Sequence, residues 1–469
     1  MLRETTREAT SRPDLGIELH NPPMFFHPGD SLSGRVYRQT AMISPEAHVT
    51  INLFGCLATQ VNDNPSRVMM LLGSTKSLFR GAIHIPPDAI RRHEWSFNIR
   101  LPKNPSYRCV NTEVSNSTMP LFLPIDQDSV SGHPLPPTCR TKSPYFYASV
   151  DYFLEAKIIY ERKGIKDIVR CQYPLLLRLA DPSPPIADCR LKIHEFKRTV
   201  HSQRLVPGMH GAPLSLGQHV KKFFHTSSVP RLNLQVLIAT PSVIQLNHPD
   251  PISLTIKAIP NWSKSSEVLK NITQTARLVR FWAVLSSICE IPAQYHPLTF
   301  TGPEKYTIRH SFVCQSEPLV EIKCSADEEP RDVGKEINLR LVDPEYLVPN
   351  FVTYSMKVSH KLSFEMRWVI EKEYIKIQDE QPVMLMPESI DRDKECQPGS
   401  PGTRLSNPFT GLADDMDLPP SFEETEREKE LQARAQINSN RNGPEDSEAG
   451  SMFSDKQEES GEAGRAGLV

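Results

Sequence analysis

No stretch of the chain approaches the roughly 18 consecutive apolar residues that a membrane-spanning helix needs. The opening Met-Leu-Arg-Glu-Thr-Thr-Arg-Glu is charged and lacks the apolar core of a secretory leader, so the expected location is cytoplasmic. The nine cysteines include no Cys-x-x-Cys pair and are odd in number, which argues for reduced, mostly buried thiols rather than a disulfide framework. Glycosylation patterns at Asn116, Asn261 and Asn271 then read as coincidences of a Ser/Thr-rich chain. The chain also lacks a Gly-x-Ser-x-Gly elbow, a phosphate-binding Walker loop and a dinucleotide fingerprint. His194 and His201, with His210, His219 and His225 beyond them, do not have the paired spacing of a zinc site and read as scattered surface histidines. Basic residues are dispersed, with Lys221-Lys222 the nearest approach to a cluster in its stretch, which gives no support for nucleic-acid binding. The expectation is a protein that is not an enzyme and holds no metal and no cofactor.

Glycine is scarce, 21 residues in 469, while proline, at 42, is about twice its usual share, a balance that suits many strands joined by extended connections. The stretch Pro28-Gly29-Asp30 shows the style. Pro28 presets the first central position of a turn, Gly29 accepts the positive φ of a type II turn, and Asp30 can hold the turn through its side chain. Beyond it Leu32, Gly34 and Val36 alternate with Ser33, Arg35 and Tyr37, the period of two of a half-buried strand. Gly34, without a Cβ, permits another backbone to come close.

Similar alternation marks 15–19, 48–55, 68–72, 78–83, 95–101, 145–160 and 168–179, and in the second half 232–238, 252–259, 320–324 and 351–386. Shorter candidates lie at 310–313 and 336–342. Thr275 to Ile288 fits a helical stripe (Leu278, Trp282, Leu285, Ile288) as well as a strand, and its neighbours favour the strand. The fold class expected is all-β, two immunoglobulin-like sandwich lobes in tandem. The divisions are a disordered N-terminus (1–14), a first lobe (15–180) with a proline-rich, partly disordered surface insertion (103–143), and a linker with extended loop (181–230). A second lobe (231–387) and a disordered acidic tail (388–469) follow. Residues 411–469 carry 15 acidic and 6 basic side chains, leaving 48 basic against 41 acidic in the body. A weakly basic body of this kind suits an anionic membrane surface as one partner.

The Pro28-Gly29-Asp30 turn running into Ser33-Gly34-Arg35-Val36, the strand ending in Leu101-Pro102, and the closing Leu347-Val348-Pro349-Asn350-Phe351-Val352-Thr353-Tyr354 together resemble the arrestin fold in its fungal α-arrestin branch. The resemblance covers Leu15 to Pro387. It implies a cytoplasmic adaptor, recruited to the plasma membrane or endosomes, that links membrane transporters or receptors to a HECT-type ubiquitin ligase. Two tail motifs bear on this. Pro419-Pro420-Ser421-Phe422 is close to the Pro-Pro-x-Tyr peptide by which α-arrestins bind the WW domains of such ligases, with Pro419, Pro420 and Phe422 as the contacts and Phe422 where the family has tyrosine. Adjacent prolines favour the extended helix that a WW groove reads, and Ser421 with Glu424 forms a Ser-x-x-Glu capping box just after it. Asn407-Pro408-Phe409 matches the peptide read by endocytic EH domains. Pro22-Pro23-Met24-Phe25 repeats the degenerate proline pattern inside the first lobe. The alternative function is a sorting scaffold of the same fold that uses no ligase.

Overall fold

The computed structural model describes residues 15–61, 67–87, 92–114, 121–143, 146–162, 165–209, 229–292, 304–311, 320–344 and 347–389. Within them the chain is built from antiparallel sheets with a few short helices. In the first lobe one sheet has the order β1 (Gly16–Leu19), β2 (Ser31–Arg38), β5 (His93–Arg100). The facing sheet runs β4 (Arg67–Ile85), β3 (Met42–Val61), β7 (Phe146–Arg162), β6 (Cys139–Ser143), with β8 (Ile165–Leu175) also on β7. The turn before β2 forms as its residues require: Asp30 N donates to His27 O at 3.0 Å, Gly29 has φ +98°, and Asp30 Oδ2 accepts from His27 N at 2.8 Å. Alternation is strict where it is clearest in the sequence, and Val150, Tyr152, Leu154, Ala156 and Ile158 are all buried.

The stretches 68–72 and 78–83, separate by local pattern, are one continuous strand, β4. Gly73 pairs with Phe54, and the ladder to the long β3 continues on both sides of it across register shifts at Leu71 and Leu78. The insertion 103–143 is a correction of another kind. It holds α1 (Tyr107–Val114), α2 (Gln127–Gly132) and β6, and buries Val110, Val130 and Leu135 completely against the lobe. Its prolines delimit short helices rather than prevent them, since Pro105 precedes α1 and Asp126 caps α2 by accepting from Ser129 N at 2.9 Å.

In the second lobe β10 (Leu191–His201), β11 (Arg231–Pro241), β13 (Thr255–Pro260) and β17 (Arg331–Asp332) form one sheet. The other follows the order β12 (Val243–Gln245), β20 (Glu373–Met386), β19 (Lys357–Ile370), β14 (Gln274–Ile291), β15 (Glu304–Ser311), with β16 (Val320–Cys324) on β14 and β18 (Phe351–Val352) on β19. The strand reading of 275–288 holds. The second lobe, however, begins inside the expected linker, because β10 pairs along its whole length with β11. Its apolar residues fall on both faces, with Leu191 and Ile193 exposed and Phe196 and Val200 inward, so no clean period announced it. The candidate strand at 336–342 is instead the end of a helical turn, α3 (Val333–Glu336), and the loop after it. Asp332 caps that turn, accepting from Lys335 N and Leu254 N on one oxygen and from Ser253 Oγ on the other.

Two hydrophobic clusters fill the sandwiches, and the first one also takes in Cys289, Ile291, Phe351, Tyr354, Met356 and Val358 from the second half. Tyr354 is fully buried, its ring edge-on to His133, and Phe122 N donates to its carbonyl. The insertion is thus part of what joins the halves. The expected tail boundary also moves: β9 (Ala180–Asp181) pairs in parallel with β21 (Glu388–Ser389), two residues past Pro387. Among the described residues no helix is long and apolar enough to cross a membrane.

Candidate functional site

The tail residues singled out by sequence, Asn407, Pro408, Phe409, Pro419, Pro420 and Phe422, lie outside the described residues, as do His210, His219 and His225. The repeat of the proline pattern at 22–25 is within them, and there Phe25 is covered by the Arg178 guanidinium 3.9 Å from the ring centroid. Arg178 is itself nearly buried. Its Nη1 lies 3.3 Å from Glu388 Oε1, and the second carboxylate oxygen of Glu388 accepts from Asn247 Nδ2. Ser389 Oγ donates to Ser183 O. Residues 178, 183, 247 and 388–389 therefore tie the end of the first lobe, the connection after it and the last described segment into one junction.

Among the described residues no group of three or more His, Cys, Asp and Glu is placed to hold a metal ion. His194 is no surface residue: its Nδ1 is 2.7 Å from Asp379 Oδ2 and its Nε2 is 2.8 Å from Gln381 Oε1. Gln381 Nε2 in turn donates to Thr240 Oγ1 and Pro241 O. This chain closes the corner between β10 and β20, where no ladder joins the two sheets. Among the described thiols Cys56, Cys289 and Cys324 are buried, while Cys109, Cys139, Cys171 and Cys189 are partly exposed. Desolvation pushes Cys56, Cys289 and Cys324 up to about 12, and it also raises Cys139, which the Cys289 charge raises further.

A cleft of about 590 Å³ lies on the outer face of the β20-β19-β14-β15 sheet. Cross-strand register builds it, since Lys305, Glu290 and Lys357 share one row and Thr307, Ile288 and Ser359 the next. Glu290 is clamped by Lys305 at 3.0 Å and Lys357 at 3.9 Å, while Lys361 pairs outward with Glu380 at 2.7 Å. His360, beneath, hydrogen-bonds Asn350 Oδ1, which also accepts from Leu385 N. Ammonium groups and hydroxyls over an apolar floor of Ile288 and Val383 suit an anionic or hydrogen-bond-accepting group. Sequence reasoning missed these residues because each lysine looks ordinary on its own strand, and only the register makes them neighbours.

No protein-family model matches the chain. No curated protein matches it. The structure defines the class at the level of fold, an all-β chain of tandem sandwich-like sheets.

Proposed function

We propose that the protein is an arrestin-like cytosolic adaptor that links membrane cargo, transporters or receptors, to a HECT-type ubiquitin ligase and so promotes cargo ubiquitination and endocytosis. The observation that carries this reading is the pairing of two tandem sandwich lobes with a long C-terminal segment bearing Pro419-Pro420-Ser421-Phe422. Adjacent prolines lower the entropy cost of docking in an aromatic-lined WW groove, and Phe422 supplies the ring beside them. Asn407-Pro408-Phe409 offers a second contact, to EH domains of the endocytic machinery. The lysine-lined cleft and the basic body favour an anionic membrane surface as a further partner.

Phe422 in place of tyrosine favours a second reading, a sorting scaffold of the same fold that works without a ligase. Titration of an Asp414–Glu430 peptide against a panel of WW domains separates the two. Binding that is lost when Pro419 and Pro420 become alanine supports the adaptor. If neither the natural peptide nor its Phe422→Tyr variant binds any WW domain, while the full chain still associates with membrane cargo, the scaffold reading replaces it.

A further inference from the structure

The outer face of the large sheet in the second lobe carries a second feature, at the opposite end from the lysine cleft. Arg280 on β14 stands directly opposite Arg367 on β19, and Arg367 directly opposite Lys376 on β20. Three cations therefore lie side by side in one row, about 5 Å from strand to strand. At the β20 end of the row Arg198 of β10, on the same face of its strand as Phe196 and Val200, donates its Nε to Lys376 O at 3.2 Å and its Nη1 to Lys197 O. Like charges directly opposed across a ladder destabilise it.

Only partial compensation is present. Glu365 bonds Lys376 at 2.7 Å and Arg367 at 3.1 Å, and these two partners hold its carboxyl below the usual range. Arg280 forms no ion pair among the described residues. Flanking the row, Trp282 is 39% exposed in the middle of a strand, where large apolar side chains normally face the core, and Tyr374 is 77% exposed. Both side chains project from the same face as the cations, since Trp282 is two residues beyond Arg280 and Tyr374 two before Lys376.

We infer that this face docks on an anionic lipid bilayer, with Arg280, Arg367 and Lys376 over acidic headgroups and Trp282 and Tyr374 at the interface. Three cations against one carboxylate give the charge complementarity. Indole and phenol rings, apolar in body and polar at the tip, are the side chains that settle at headgroup level. An extended peptide normally adds to a free sheet edge, but Arg367 lies on a strand paired on both sides. Single-stranded nucleic acid would want several stacking rings along a groove, whereas the row itself has none between its cations. The inference rests on the adaptor reading only in that such an adaptor works at membranes, and it is tested without any ligase.

The experiment is co-sedimentation of the full chain with vesicles of phosphatidylcholine alone or mixed with phosphatidylserine, over a range of salt. Expected are binding only to the anionic vesicles, weakening as salt rises, and a loss of about fivefold in partitioning for each of Arg280→Gln and Lys376→Gln. Melting curves keep the interpretation on binding, because removing a member of a like-charge row leaves the fold at least as stable. Tryptophan emission should shift to the blue with anionic vesicles in the wild type and not in Trp282→Phe. The inference is overturned by equal binding to neutral vesicles, or by anionic binding that both Gln variants retain in full. Capture of a polyglutamate peptide or an RNA by this row, with vesicles ignored, overturns it as well. Failure here leaves the WW titration untouched, and failure of that titration leaves the vesicle result untouched.

Discussion

A Cβ on Gly34 would stand 2.3 Å from the carbonyl oxygen of Glu18 on the neighbouring strand, and 3.0 Å from both Leu19 Cα and the Phe97 ring. The residue is on the buried face of β2, between β1 and β5. Backbone cannot yield as a flexible side chain can. Gly34→Val should therefore cost about 1–3 kcal/mol or more through overpacking, while Ser33→Val, on the opposite face, should stay within about 0.5 kcal/mol of wild type. Chemical denaturation of the two variants compares them, and equal losses would mean that the faces are misassigned.

The junction around Arg178 predicts where the chain can be cut. Ending it after Ser389 should leave the melting temperature of the body unchanged. Ending it after Pro387 removes the carboxylate from Arg178 and the acceptor from Asn247, and leaving a nearly buried donor without that partner should cost about 1–3 kcal/mol. Glu388→Gln in the longer version should recover most of the difference, because the amide oxygen still accepts. A melting curve for the shorter form that superimposes on the longer one would refute the junction's role.

His194 should matter more than its place in a charged stretch implies. His194→Ala strips a partner from both Asp379 and Gln381 at the corner of the second sandwich, at a cost of about 1–3 kcal/mol. His201, at the end of the same strand, serves as the comparison in thermal unfolding.

Glu94 supplies a pH test. Arg35 and Arg92 hold its carboxyl below the usual range, and Arg92 also bonds Glu18 and lies over the Tyr37 ring. A depressed folded value means that its stabilisation is complete above the ordinary carboxylate range and fades as pH falls through the depressed value. Glu94→Gln should thus be slightly less stable than wild type near neutral pH, and the gap should close in acid. The network is exposed enough for salt to narrow the gap too.

In the tail, Phe422→Tyr should tighten WW binding of the Asp414–Glu430 peptide between about twofold and tenfold, the worth of one net hydrogen bond of about 0.5–1.5 kcal/mol. Glu424→Ala should weaken it by no more than about 1 kcal/mol through loss of the capping box. Isothermal titration reads both, and a Tyr variant that binds no better would remove the hydroxyl from the account.

Local periodicity determined much of this protein. The turn at Pro28-Gly29-Asp30 follows from its residue types and the inward row from Val150 to Ile158 from spacing, since a two-residue period has one physical meaning on a pleated sheet, whereas 275–288 needed its neighbours to read as a strand. The tail motifs are likewise legible only as sequence. What the spacing could not supply is whatever depends on partners distant in the chain. The helices of the insertion needed the first lobe to bury Val110 and Val130, and β10 needed β11 to become a strand. The cationic row depends on register most of all. Leu278 pairs with Trp368, but an irregularity at Val279 shifts the pairing so that Arg280 meets Arg367. With strict alternation from Leu278, Arg280 and Trp282 would point into the core. One extra residue turns them outward, because a one-residue slip exchanges the two faces of a strand, and only the folded sheet records where that slip occurs.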